Sequence, residues 1–348
     1  MSAFDYKYSG EERIMINKLL VAATAKVVEE LLDEKNVAYK VKKDKETKYF
    51  AETWEEASKK EQDLALKQAR PAVKRILSLE PYAFKDGGDP LLIRFNYLNR
   101  KLDKDSFGEL LLERVDLDWH ISISVKYDAT IMASMKVAER TRYTKKNKVI
   151  NVFNEIDDFG ERIFSVPCSN DYFQEMNDIL LEFEPYKKEE WLEKLKEDSF
   201  LYGKLITPML TAIGREMRRI CEYHPEVPRK LFDYFYGNYD YYYINPITQV
   251  EVTRIGAINP HGGLGRIPRS HNLNVPRIKY PTQMFDVRFA TGPYGELSKD
   301  TIQFTFDHGW ALCIKMYLNE ENPDDRNFDM TVYLPSTPYG SYRDQVDW

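Results

Sequence analysis

Residues 118–127 read Asp-Trp-His-Ile-Ser-Ile-Ser-Val-Lys-Tyr and alternate without a fault. Trp119, Ile121, Ile123, Val125 and Tyr127 fall on one side of an extended chain; Asp118, His120, Ser122, Ser124 and Lys126 fall on the other. Period-two alternation with β-branched and aromatic residues is the pattern of a strand with one buried face. The polar side carries an acid, an imidazole, two hydroxyls and an amine in one row, with neighbours ~7 Å apart. A strand lining a hydrolytic metal site has this pattern, and so does a solvated edge strand; the alternation alone leaves both open.

The rest of the chain limits what such a strand can belong to. With 348 residues, 43% hydrophobic and 30% charged, the composition is that of a soluble globular protein with one large or two ordinary domains. The net charge of -6 excludes a global basic signal, so nucleic-acid binding has to rest on local clusters. Cys168, Cys221 and Cys313 are odd in number and far apart, which argues against a disulfide framework or a zinc site. Reduced, buried thiols in a cytoplasmic protein are the expectation. No signal-type segment and no apolar run of about 18 residues occurs, so no membrane span is expected.

Apolar periodicity predicts helices over residues 11–35, 53–79 with an interruption at Pro71, 129–137, 170–184, 187–195 and 207–222. Strands are predicted over 91–97, 109–115 and 116–127, and then over 239–244, 250–258, 284–289, 302–306, 311–317 and 328–334. The change in character places a boundary at residue 228. Residues 1–228 would form a helical N-terminal region plus a mixed α/β core, and 229–348 a β-rich region that contacts the ligand.

Three constellations carry chemistry. Glu109 and Glu113 share a face of the strand before the alternating one, and a turn near 115–117 would bring one of them near Ser124 or Lys126. Asp118 and His120 stand at the other end of that face. Metal-assisted phosphodiester hydrolysis needs carboxylates to hold the ion and commonly a lysine to stabilise charge. Glu109, Glu113 and Asp118 are therefore the candidate metal ligands, and Lys126, Glu109, Ser124 and His120 the candidate catalytic set. Residues 252–285 contain no Asp or Glu, yet carry Arg254, Arg266, Arg269, Arg277, Lys279, His261 and His271. They include a long Gly-, Pro- and Asn-rich loop in which arginine could read guanine. Arg254, Arg266, Arg269, His271, Arg277 and Lys279 are the candidate DNA contacts there. Arg142 and Lys145, within a basic run over 136–148, are candidate contacts to a nucleic-acid backbone. The bland counterparts are a solvated strand face, a lone hydrogen-bonded imidazole and a flexible solvated loop.

These residues resemble the HaeIII-type type II restriction endonucleases. Trp119 to Lys126 resembles the family's WEIGxSxK strand. Asp157-Asp158-Phe159-Gly160, then Ser165-Val166-Pro167-Cys168-Ser169 and Asp171-Tyr172-Phe173, resemble a second family segment. Asp240 to Ile244, Asn259-Pro260-His261-Gly262 and Asp307-His308-Gly309-Trp310 resemble its C-terminal part, so the matches run from about residue 70 to 335. The resemblance implies a PD-(D/E)xK-type α/β fold, a mixed sheet flanked by helices, followed by a β-rich C-terminal part. It implies cleavage of double-stranded DNA at a short GC-rich palindrome (GGCC), with Mg²⁺ as cofactor and Mn²⁺ as a substitute. A DNA methyltransferase is the functional partner implied, and a homodimer is left open. By position, Lys126 matches the family lysine and Glu109 best fits the upstream acid. Residue 120 is His where the family strand has Glu, and imidazole is a poorer Mg²⁺ ligand than carboxylate. The rival reading is a nuclease-fold protein that binds DNA and has lost cleavage; another is a protein without a nucleic-acid role, its basic loop merely exposed.

Overall fold

A computed structural model describes residues 10–85, 88–96, 108–125, 131–136, 169–182, 185–236, 239–292, 294–318, 328–335 and 338–348. In chain order they form α1 (Gly10–Glu34), β1 (Tyr39–Val41), α2 (Lys45–Glu56), α3 (Lys59–Leu79), β2 (Leu91–Phe95), β3 (Leu110–Arg114), β4 (Trp119–Val125) and β5 (Ile131–Lys136). Then come α4 (Asn170–Leu181), α5 (Lys188–Leu195), α6 (Asp198–Phe200), α7 (Thr207–Tyr223) and α8 (Val227–Tyr236). The strands β6 (Tyr241–Ile247), β7 (Val252–Ile258), β8 (Met284–Thr291), β9 (Leu297–Phe306), β10 (Ala311–Leu318), β11 (Phe328–Tyr333) and β12 (Arg343–Asp347) follow. The class is mixed α/β, with a strand-rich C-terminal part.

The chain divides into two compact units. The first takes its described residues from Phe4–Ala129, Gly237–Lys279 and Gly340–Trp348. Its sheet has the order β1-β2-β3-β4-β6-β7-β12. β4 is antiparallel to β3 on one side and parallel to β6 on the other. It is therefore a central strand, and the solvated-edge reading falls. Trp119, Ile121, Ile123 and Val125 join the core against Val27, Val28 and Leu31 of α1 and Val73 and Ile76 of α3. Each fully buried aliphatic side chain of this kind contributes about 1.5–3 kcal/mol. On the polar face Ser122 and Ser124 are buried as well, and His120 is exposed.

The helices against this sheet start where local chemistry stops them from starting earlier. Asp44 caps α2, its carboxylate accepting from the Thr47 amide at 3.0 Å. Ser58 and Glu61 form a reciprocal capping box at the start of α3. The helical region expected over 53–79 is thus divided at Ser58. Pro71 does not interrupt α3, which runs on to Leu79. The ring costs one backbone hydrogen bond there, and the packing of Val73, Ile76 and Leu77 into the core outweighs it.

The second unit takes its described residues from Thr130–Tyr236 and Tyr280–Tyr339. Its sheet, β5-β11-β10-β9-β8, is antiparallel throughout. The helix expected over 129–137 is instead the strand β5, paired with β11. Ala133 and the methionines favour a helix locally, and the ladder with β11 overrides that preference. α7 packs on β8 and β9. Gly214 permits this approach: a Cβ there would lie 2.4 Å from Ile302 Cδ1. The two units interleave along the chain, whereas the sequence suggested one boundary at 228. A cut there would part β4 from its parallel neighbour β6.

Candidate active site and base-reading loop

The β3–β4 hairpin settles which polar residues are neighbours. Leu110 is in register with Ile123, Leu111 with Ser122 and Glu113 with His120. Glu109, just before β3, is therefore at the Ser124 end. Its carboxylate is buried and its Oε2 accepts from the Val125 amide at 2.8 Å. Ser122 Oγ accepts from the Gly108 amide at 2.6 Å. Gly108 is needed for that approach, since a Cβ would meet Ser122 Oγ at 2.4 Å and the Ile123 backbone at 2.5 Å. Glu109 and Ser124 are thus brought together as expected. Lys126, Arg142 and Lys145 lie outside the described residues.

The opposite end of the hairpin does not join them. The turn Val115–Leu117 closes on Asp118, which takes a left-handed conformation at φ 46°. Asp118 is six residues from Ser124, ~20 Å along an extended strand. Glu113 faces His120 and pairs with Arg94 at 3.1 Å. Glu109, Glu113 and Asp118 are accordingly not assembled around one ion, and His120 stands apart from Glu109 and Ser124. The hairpin register separates residues that share a face but not an end. Among the described residues no group of three or more His, Cys, Asp or Glu is placed to hold a metal.

Asp118 and His120 instead line a cavity of about 270 Å³ with Tyr239, Asp240, His261 and Arg266. The last two belong to the acid-free loop, which spans residues 259–283 between β7 and β8. That loop is held by polar side chains and is not slack. Asp240 accepts from the His261 amide at 2.8 Å and the Gly263 amide at 2.5 Å. Asn259 is buried; its Nδ2 donates to the Val275 carbonyl at 2.9 Å and its Oδ1 accepts from the Leu264 amide at 3.1 Å. Leu264 and Val275 are part of the sheet unit's core. Gly265 adopts φ 67°, and a Cβ there would lie 2.5 Å from the Val275 nitrogen.

Glu80 ties this loop to the sheet. It follows α3, and its carboxylate accepts from the Gly265 amide at 2.7 Å, the Tyr242 hydroxyl at 2.7 Å and the Trp119 indole at 3.2 Å. Burial pushes its carboxyl up to about 7, against those three donors and the nearby Arg266 charge. Sequence reading missed Glu80, Asp240 and Asn259 as loop anchors. The one signal was the cluster Gly262, Gly263 and Gly265, which marks backbone that must approach other groups closely.

Arg266, Arg269, His271, Arg277 and Lys279 are exposed. Arg277 donates to the His261 carbonyl. Arg254 is exposed too, but on β7, between Asn245 and Gln345 in the ladder. In contrast, the arginines of α7 are neutralised within the second unit: Arg215 by Glu175, Arg218 by Asp286 and Arg219 by Glu216. Cys221 and Cys313 are buried free thiols, their ionisation pushed up to about 12 by burial. No helix among the described residues is long and apolar enough to cross a membrane.

The model of the HaeIII restriction endonuclease family matches residues 21–329. The type II restriction enzyme HaeIII of Haemophilus aegyptius is 24% identical over 286 residues, covering 79% of this chain and 80% of that enzyme. No solved structure matches. The family match spans both units, from the helices behind the β4 sheet to β11, and the chain belongs to the HaeIII restriction endonuclease family, the type II site-specific endodeoxyribonucleases.

Proposed function

We propose that the protein cuts double-stranded DNA at a short GC-rich palindrome, GGCC by resemblance, with Mg²⁺ as cofactor and Mn²⁺ as a substitute. The observation that carries this reading is the Glu109 carboxylate, buried and oriented by the Val125 amide at 2.8 Å. Lys126 follows Val125 directly, so an amine and a fixed carboxylate belong to the same end of β4. Ser124, two residues before that lysine, is neutral, and among the described residues of the β3–β4 hairpin at this end Glu109 is the acid. Mg²⁺ is commonly held by one or two carboxylates, with water and phosphate oxygens filling its octahedron. Glu109 fits that sparse requirement and is the proposed protein ligand. When bound, the ion would neutralise charge on the scissile phosphate. Lys126 would orient the attacking water and stabilise the developing negative charge, and the Ser124 hydroxyl would hydrogen-bond beside it.

In this reading the loop over 259–283 reads bases through Arg266, Arg269, His271, Arg277 and Lys279. Arg254, Arg142 and Lys145 hold phosphates. Arginine suits the O6 and N7 acceptors of guanine, which agrees with a GC-rich target. The protein would act in the cytoplasm, with a DNA methyltransferase protecting host sites. A homodimer would match the symmetry of a palindrome. The test is digestion of plasmid DNA with Mg²⁺ or Mn²⁺ and sequencing of the ends, with Glu109→Gln and Lys126→Ala alongside. Each variant should cut at least ~100-fold more slowly while keeping most of its DNA affinity. Undiminished cleavage by either one would remove that residue from the site.

A further inference from the structure

At the far end of β4 from Glu109, an acceptor and a donor line one cavity without pairing. Asp118 and Arg266 both border the space of about 270 Å³, and both are exposed. Among the described residues the Asp118 carboxylate makes no hydrogen bond or ion pair, and the Arg266 guanidinium makes no hydrogen bond, its charge being felt by the buried Glu80 carboxylate. The other acid of the cavity is already committed, Asp240 being held by the His261 and Gly263 amides. An aspartate in a left-handed turn commonly folds its carboxylate back onto nearby backbone. Asp118 has the turn conformation, at φ 46°, without that use of its side chain.

We infer that Asp118 is a specificity residue, accepting a hydrogen bond from the N4 amine of a cytosine while Arg266 donates to guanine. A carboxylate beside DNA is repelled by phosphate, so a contact from Asp118 has to go to a donor. In the major groove cytosine offers the N4 amine, and guanine offers O6 and N7 as acceptors. Adenine N6 is the other major-groove donor; in the GC-rich target proposed above, an acceptor-only and a donor-only side chain on one cavity complement a G·C pair or two adjacent G·C pairs. The inference rests on the reading that the 259–283 loop contacts bases. It removes Asp118 from the metal ligands, in keeping with the ~20 Å of strand between it and Ser124.

The experiment compares Asp118→Asn, Asp118→Gly and Arg266→Ala with the unaltered protein. Asn and Gly both tolerate the left-handed turn, so neither strains the hairpin. Cleavage is measured on the cognate duplex, found by sequencing cut ends, and on every single-base-pair variant of it, over a range of Mg²⁺ concentrations. Both Asp118 variants should lose about 5- to 100-fold of discrimination at one G·C position, at or next to the position relaxed by Arg266→Ala. Discrimination elsewhere and the Mg²⁺ dependence should not change. If Arg266→Ala relaxes a position and the Asp118 variants relax none, the Asp118 assignment alone is refuted. If Arg266→Ala relaxes none, the pairing with Asp118 falls; the loop reading itself falls only if Arg269→Ala and Arg277→Ala also relax none. A shift in the Mg²⁺ requirement of the Asp118 variants would overturn the inference in favour of a metal ligand.

Discussion

Glu80→Gln gives the sharpest test of how the loop is held. Glu80 receives three donors and is fully buried, with its carboxyl raised from 4.5 to about 7. The native state thus binds this proton more tightly than the unfolded chain does. The resulting stabilisation is full below about pH 4.5 and is lost as pH rises through 7. At 1.36 kcal/mol per unit, the part lost between about pH 5 and pH 8 is about 2.5 kcal/mol. Glutamine has no proton to bind and removes this leg. It keeps one acceptor for Gly265 and Tyr242 but turns an amide donor toward the Trp119 indole N–H. That donor-to-donor contact costs about 1–3 kcal/mol at every pH. The variant should therefore be less stable than the wild type near pH 5 and close to it near pH 8. Urea denaturation at several pH values reads this directly: the gap between the two proteins should narrow by about 2–3 kcal/mol as pH rises. Parallel curves would refute the reasoning, because they would mean that Glu80 does not titrate across this window.

Other expectations follow from the same geometry. Gly265→Ala should destabilise the protein by more than about 1 kcal/mol in the same denaturation assay and weaken DNA discrimination, since its φ of 67° and its approach to Val275 both exclude a Cβ. His120→Glu should leave the Mg²⁺ requirement of cleavage unchanged, because position 120 faces Glu113 and not Glu109; a lowered requirement would place residue 120 in the metal site after all. Cys221 and Cys313 should react with a thiol reagent only as fast as the protein unfolds, which mass spectrometry of labelling in rising urea would show.

Most of the strands and the long helices were legible in the sequence because their apolar periodicity survives without knowledge of partners. β4 shows the limit of that signal. Its alternation is the clearest in the chain, yet alternation cannot say how many neighbours a strand has. The parallel partner β6 comes more than a hundred residues later, and only that pairing makes β4 central. β5 fails for the same reason, since its pairing with β11 overrides a helix-favouring composition.

The site divides along similar lines. Glu109 and Ser124 were legible as neighbours because a tight hairpin makes register a local matter. The grouping of Asp118 with Glu109 was not, because a shared strand face hides ~20 Å of length. The acid-free loop announced itself by charge, but its anchors could not. Glu80 is an ordinary glutamate at a helix end until the loop, β4 and β6 converge on it from residues 265, 119 and 242. A buried carboxylate of this kind is costly unless donors surround it, and the sequence records the acid without recording the donors. The residue that locks the loop in place was for that reason hidden, while the residues proposed to touch DNA, being exposed and basic, were visible from the start.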